Sequence, residues 1–275
     1  LHPYEHFLDF GLAEGRKYKF PDLMACYGYE MDPGKPTVLL VSHEATRTGA
    51  PILTWNICNQ LSASHNTVVL QLGEGSLLSN FQLNSHATYL LPEAKHSSAI
   101  ARHAVKVLQQ RHGFDYAILN SIETGTLCEP LTVAGVPNLL LVHEFAASTM
   151  PREKFLHARI WASLVIFSTE LTKLDAINCF PRLFDQAMIM PQGQCLIPPI
   201  IRPISDSQFL SDLTPASAHD IAKTTRKLVI GLGSVCIRKG VDLFIEVATR
   251  MEELSGQQVF EFLWVGGGFP DYDPE

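Results

Sequence analysis

The sequence predicts an α/β chain: a doubly wound parallel sheet, followed by the start of a second, incomplete domain of the same kind. Three observations carry that prediction. From about residue 36, short runs rich in Val, Ile and Leu alternate with longer stretches of helical period, as in βαβ units whose strands are buried on both faces. The rhythm breaks at residues 198–226, where four prolines and scattered Ser and Asp read as a linker, and then restarts. At 46% hydrophobic and 18% charged, the 275 residues have the composition of a compact globule long enough for about two domains.

The elements follow in order. Residues 1–35, with "PYEHFLDFGLAEGRKYKF", read as a peripheral helical lead-in. "TVLLVS" (37–42) is a strand, "APILTWNICNQLS" (50–62) a helix and "TVVLQL" (67–72) the next strand. After a loop and a short helix come the strand "ATYLLP", the helix "SSAIARHAVKVLQQRHG" closed by Gly113, and the strand "DYAILNS". "TLCEPLTVAG" is a helix and "NLLLVHE" a strand, then a helix over 152–163, the strand "LVIFST", the helix "ELTKLDAINCF" and the strand "AMIMPQG". Seven strands with helices between them complete a domain over 36–197. The linker holds one short helix around "ASAHDIAK", and residues 227–275 open the second domain with strand "KLVIGLG", helix "VDLFIEVATRMEEL" and strand "FEFLWVGG". Two strands make no stable sheet by themselves, so this piece is expected to dock on the first domain or on residues beyond 275.

Several function classes drop out. A net charge of −7 supplies no basic stripe for nucleic acid. The six cysteines (Cys26, Cys58, Cys128, Cys179, Cys195, Cys236) stand singly in apolar stretches with no CxxC pair, as reduced core residues of a cytoplasmic protein do. The longest apolar runs fall far short of the ~20 residues of a bilayer span, and no leader peptide opens the chain. It starts at Leu1 and ends at "DYDPE" just after a strand, which reads as a piece excised from something longer.

The stretch "LGSVCIRKGVDLFIEVATRMEEL" (232–254) raises the question of chemistry. A dinucleotide motif needs GxGxxG at the strand-to-helix turn; Gly231 and Gly233 fit, but Cys236 fills the third place and the helix starts only after Gly240. That disfavours a nicotinamide-linked oxidoreductase. No Walker loop, GxSxG or HExxH is present. What remains is Lys239–Gly240 at the mouth of a helix, which reads either as a point charge for a diphosphate or as a solvated lysine beside a turn glycine. Asp271 and Asp273 form a DxD pattern, capable of chelating a hard cation but read here as an ordinary acidic loop.

"GSVCIRKGVDLFIEVA" with "FLWVGGG" closely resembles the opening of the C-terminal domain of the GT-B glycosyltransferases of family 4. "VLLVSHEATRTGAPILTWNICNQLS" resembles that family's first strand, glycine loop and first helix, and "MPQG" resembles the turn that ends its N-terminal domain. The resemblance runs over residues 36 to 270. It implies two Rossmann-like domains facing across a cleft, the first holding the acceptor and the second a nucleotide-diphosphate sugar. Lys239 is then the lysine on the donor diphosphate. Ser234 stands where an arginine is common, so either Arg238 substitutes or the cationic clamp is weaker. Gly49 lets backbone amides approach the leaving phosphate; its other reading is a helix-start glycine ahead of Pro51 at N1. His143 is expected beside the transferred sugar.

His43, Glu44 and Arg47 share a loop at the carboxyl edge of the first strand, where open α/β sheets bind ligands, and are the expected acceptor contacts. "LNSIETG" (119–125) and "GEGS" (73–76) end neighbouring strands on that rim, as acceptor contacts or as plain turns.

The implied activity is sugar transfer with retention to a saccharide or lipid-linked acceptor, with no metal and no cofactor beyond the donor. Peripheral membrane contact is left open. The family's two glutamates eight apart are expected downstream of residue 275, so the chain alone is expected to show little turnover. The rival is a non-catalytic Rossmann-like module that binds a saccharide or a protein partner.

Overall fold

The computed structural model describes residues 6–11, 13–15, 19–201, 226–235, 237–255 and 259–266. The chain divides into two compact units, Leu1–Ile201 and Arg202–Glu275. The expected linker helix at 216–223 and the acidic pair Asp271/Asp273 lie outside the described residues. Among the described residues no helix is long and apolar enough to cross a membrane.

The first unit is an eight-stranded sheet: β1 (Ala25–Tyr27), β2 (Thr37–Ser42), β3 (Asn66–Gln71), β4 (Ala87–Leu90), β5 (Tyr116–Asn120), β6 (Asn138–Val142), β7 (Leu164–Phe167) and β8 (Met188–Ile189). Their spatial order is β1-β4-β3-β2-β5-β6-β7-β8. From β2 the chain winds outward through β3 to β4, then returns to the other side of β2 and continues through β5 to β8, all parallel. The order therefore reverses between β2 and β5, and a crevice opens at the carboxyl ends of strands at such a switch point.

The helices are α1 (Gly49–Leu61), α2 (Leu78–Asn84), α3 (Ser98–His112), α4 (Cys128–Val133), α5 (Glu153–Trp161) and α6 (Glu170–Cys179). Strand alternation splits the core in two. Leu39, Val41 and Leu70 pack with Ile100, Leu108, Leu131 and Phe155, while Val38, Leu40 and Val69 pack with Trp55, Leu77 and Phe81 on the α1–α2 side. Each large aliphatic buried this way contributes roughly 1.5–3 kcal/mol. Helix α3 shows how locally the sequence sets its limits: Ser97 accepts the Ile100 N–H at its start, and Gly113, at φ 65°, ends it in the left-handed region.

The lead-in departs from its helical expectation. It holds a short π-helix at Phe7–Gly11 and then β1, antiparallel to β4 with Ala25 opposite Tyr89. Three residues are too few to announce a strand by period. What fixes them is the close approach at Gly28, where a Cβ would fall 2.3 Å from the Ser85 carbonyl oxygen. There the Gly28 N–H donates to the His86 carbonyl at 3.1 Å. Asn66 holds the following turn by donating to the Asp32 carbonyl and accepting the Asp32 N–H, both at 2.8 Å.

The second unit pairs β9 (Lys227–Leu232) with β10 (Phe260–Val265) in parallel, joined by α7 (Val241–Ser255). Phe244 of α7 meets Phe262 and Trp264 edge-on, at 5.5 and 5.3 Å. A Cβ at Gly231 would lie 2.3 Å from the Trp264 ring, so glycine is what lets the indole lie flat on β9.

Candidate functional site

The switch point gathers polar residues at the ends of three strands. Register sets Ser42 of β2 opposite Asn120 of β5, and His43, Ser121 and His143 follow directly on their strands. Asn120 organises the group. Its side-chain N–H donates to the Ala50 carbonyl in the first turn of α1 at 2.6 Å and to the Thr54 hydroxyl at 2.7 Å. Its amide oxygen is thereby left to accept Nε2–H of His143 at 2.5 Å. The Gln192 amide donates to Nδ1 of the same ring, also at 2.5 Å. His143 is thus held as the neutral Nε2–H tautomer. Burial, the largest influence, pushes its pKa below the ordinary histidine value; nearby Glu144 opposes this and His43 adds to it.

Glu144 ties β5 to β6. Its carboxylate accepts the Ser121 hydroxyl at 2.5 Å, the Ile122 N–H at 3.3 Å and the His143 N–H at 3.0 Å. Ser121 has φ 91°, in a region a non-glycine residue occupies at a cost. The Glu144 bond and a 2.9 Å bond from its own N–H to the Leu141 carbonyl hold it there.

The 43–48 loop is packed from beneath. The Ser42 hydroxyl donates to the Glu44 carbonyl at 2.8 Å, and Glu44 Oε1 accepts the Thr46 hydroxyl at 2.5 Å. His43 Nε2 lies 3.6 Å from Glu44 Oε1, while its buried Nδ1 has no hydrogen-bond partner among the described residues. Burial lowers the His43 pKa, Glu44 counters that, and the Lys95 charge lowers it further. The "GEGS" glycines have a packing reason: a Cβ on Gly75 would lie 2.2 Å from the Ala45 backbone, and one on Gly73 3.0 Å from the Glu44 Cβ.

Helix α1 begins at Gly49, one residue before its expected start, so Pro51 is the third helical residue and not the first. Thr48 provides no side-chain cap, its hydroxyl lying 3.0 Å from that of Thr46. The Gly49 and Ala50 N–H groups find no partner among the described residues, and nothing lies within 4 Å of where a Gly49 Cβ would be. An open helix N-terminus with two free amides is an anion site in waiting.

Arg47 is already committed. Its guanidinium donates to the Pro198 carbonyl, where the sequence points it toward an acceptor. Asn56 exchanges two bonds with the Leu196 backbone, at 2.9 and 2.8 Å, and Asn80 donates to the Pro199 carbonyl at 2.9 Å. Together they fasten residues 196–199 onto the first unit, inside what the sequence reads as linker from 198, and so bring Gln192 to His143. Asn56 and Asn80 escape sequence reasoning, their one signal being polarity at buried helix positions; Asn120 lies in the rim stretch "LNSIETG" and Gln192 in the turn "MPQG", but the sequence assigns neither a partner.

Two hollows flank the rim. One, ≈ 420 Å³, is lined by His43, Glu44, Gly73, Pro92, Lys95 and His96. The other, ≈ 280 Å³, is lined by Lys95, His96, Ile122, Glu123, Pro151 and Lys154 among others, with Lys154 donating to both Glu123 oxygens at 2.7 and 2.9 Å. A further hollow, ≈ 540 Å³ beside Tyr27, Tyr29 and Arg111, lies at the opposite edge of the sheet.

In the second unit, Lys239 is exposed and ends a 3₁₀ turn, Ile237–Lys239. Its aliphatic stem crosses Gly233, whose φ is 147° and whose Cβ position is 3.5 Å from Lys239 Cδ. Trp264 Nε1 donates to the Gly233 carbonyl at 2.9 Å. Gly240, at φ 73°, turns the chain into α7. The Arg238 side chain and Cys236 are outside the described residues.

A reversed-order parallel sheet with its polar crevice at the switch point, followed by a separate βαβ unit, is a Rossmann-like arrangement of the kind a GT-B-like fold contains. No protein-family model matches the sequence, and no curated protein matches it. Solved structures do. HepE of Anabaena in complex with UDP-glucose superposes with a TM-score of 0.63 at 14% identity, over 86% of this chain and 62% of that one. HepE with UDP and glucose gives 0.56 at 12% identity, over 83% and 69%. Sucrose-phosphate synthase from Thermosynechococcus elongatus gives 0.55 at 14%, over 87% and 64%. The chain thus spans 62 to 69% of the length of these proteins, and likeness at such identity speaks for the fold.

Proposed function

We propose that the chain forms the acceptor side and part of the donor side of a family 4 glycosyltransferase. The enzyme moves a sugar from a nucleotide-diphosphate donor to a saccharide or lipid-linked acceptor, with retention and without a metal ion. The observation that carries this reading is the Asn120 bridge: one side chain ties the first turn of α1, with its free Gly49 and Ala50 amides, to His143. HepE, of similar fold, has been solved with UDP-glucose.

As the glycosidic bond to the diphosphate breaks, negative charge grows on the leaving oxygens. On this reading the α1 amides stabilise that charge, and the family resemblance assigns Lys239 and Arg238 to the same diphosphate. His143, neutral and clamped at both nitrogens, orients the sugar. A sugar hydroxyl takes the place of the Gln192 amide at Nδ1. Retention lets the leaving phosphate assist removal of the acceptor proton, so no separate base is required. His43 and Glu44 face the acceptor, while Arg47 holds the strap that carries Gln192.

Thermal denaturation of the full-length protein against a panel of nucleoside-diphosphate sugars tests the reading. At least one donor raises the melting temperature by mass action, and Lys239→Ala with Gly49→Val removes most of the gain. If no donor stabilises the protein while a saccharide does, the non-catalytic module is the correct description.

A further inference from the structure

Lys95 ends the 3₁₀ turn Pro92–Lys95 and forms the wall shared by the two rim hollows. It is half-buried, and among the described residues its ammonium makes no hydrogen bond or ion pair. Several other cations of the first unit are engaged, Lys154 with Glu123, Arg102 with Glu129, Arg159 with the Leu183 carbonyl and Lys173 with two carbonyls; Lys35, Lys106, Arg152 and Arg182 are unpaired among the described residues as Lys95 is, but none of them lines either rim hollow. The carboxylates around Lys95 are occupied or solvated. Glu123 is held by Lys154, Glu44 by the Thr46 hydroxyl, and Glu74, Glu93 and Glu153 are exposed. Three residues on, α3 starts at Ser98 with Ser97 as its N-cap. Ser97 accepts the Ile100 N–H, but the Ser98 and Ala99 amides have no partner among the described residues, and Ser98 lines the smaller hollow. An unpaired, partly desolvated cation beside free amides on a cavity wall selects a negatively charged guest.

We propose that Lys95, with the first-turn amides of α3, seats an anionic group of the acceptor, a carboxylate or a phosphate. Only the word acceptor rests on the sugar-transfer reading; the anion site stands without it. This site lies on the first unit and uses other amides than the α1 N-terminus assigned to the donor diphosphate. Its occupancy is felt at His43, which faces Glu44, Lys95, Glu144 and Glu123.

The test is ring-carbon NMR of His43 in the full chain during titration with inorganic phosphate and, separately, with D-glucuronate, D-glucose serving as the neutral control. A bound anion offsets the Lys95 charge, so the His43 signal shifts saturably and its titration midpoint rises; glucose does neither. Lys95→Gln weakens the effect about tenfold or more, Lys95→Arg holds it within about threefold, and Lys239→Gln leaves it unchanged. A response to phosphate alone marks a phosphorylated acceptor, and one to glucuronate alone a uronate-bearing acceptor. The proposal is overturned if neither anion moves His43, or if Lys95→Gln binds as wild type does. Anion binding in a protein that takes no nucleotide sugar keeps this site and discards the transferase reading. Donor binding without any anion effect does the reverse.

Discussion

Strands β2 and β9 carry similar sequences, "TVLLVS" and "KLVIGL", yet every residue of β2 is buried and none of β9 is. The difference lies in their neighbours. β2 has a strand on each side and helices over both faces. Among the described residues β9 has one partner strand, and its Phe244–Trp264 contact covers one face, leaving Ile230 at 53% and Leu232 at 73% exposure. An apolar strand pattern thus specifies a strand without specifying what covers it. Here it yields a first unit whose central strand is covered on both faces and a second that shows its apolar face among the described residues.

The largest expected effect sharpens that contrast. Leu40→Ala, at a fully buried site, should cost about 3 kcal/mol in guanidinium unfolding through lost transfer energy and a residual cavity. Leu232→Ala, at an exposed one, should change stability by less than about 0.5 kcal/mol. Comparable losses at both positions would mean that the face of β9 is covered in solution, and the contrast would fall.

Within the first unit, Asn120 offers the next test. Asn120→Ala orphans the Ala50 carbonyl, the Thr54 hydroxyl and His143 Nε2–H at once. Stability should drop by about 2 kcal/mol, and the His143 ring should lose its fixed tautomer in nitrogen-detected NMR. Asn120→Ser, which keeps one polar group, should recover part of both. A variant that unfolds like wild type with an unchanged His143 spectrum would remove the bridge from the account of the site.

Much of this fold is legible in the sequence because long buried strands must read as apolar runs. The seven parallel strands of the first unit, from "TVLLVS" to "AMIMPQG", and the α3 stop at Gly113 follow from period and turn chemistry. β1 does not, since three residues carry no period and its place depends on Gly28 lying against Ser85. At the site, His43, Glu44, Gly49 and His143 fall on the switch-point rim because strand ends are predictable. The Arg47 clasp on Pro198 and the Gln192 contact with His143 are not, for they join residues 151 and 49 positions apart, and nothing local encodes that meeting.

The smallest expected effect separates the units by pH. The described residues of the second unit contain no histidine, its single one, His219, lying outside them, whereas the first unit holds several that are kept neutral. Burial, aided by Arg111, takes the His112 pKa down to about 4, and its Nε2 accepts the Tyr89 hydroxyl at 2.7 Å. His43 and His143 are lowered as well. In the unfolded chain such rings titrate near 6.5, so below that pH the unfolded state binds protons the folded state refuses. The stabilisation is complete above about pH 6.5 and is lost as pH falls toward 4. For His112, half-buried and screened by solvent, this amounts to about 1 to 2 kcal/mol. Unfolding of the first unit should therefore become easier between pH 6.5 and 5, before the carboxylates titrate, and His112→Gln should flatten that slope measurably. Hydrogen exchange at β9 amides should show no corresponding step over the same interval. An equal pH response in both units would mean that the histidines are charged in the fold, and the neutral tautomer assigned to His143 would go with it.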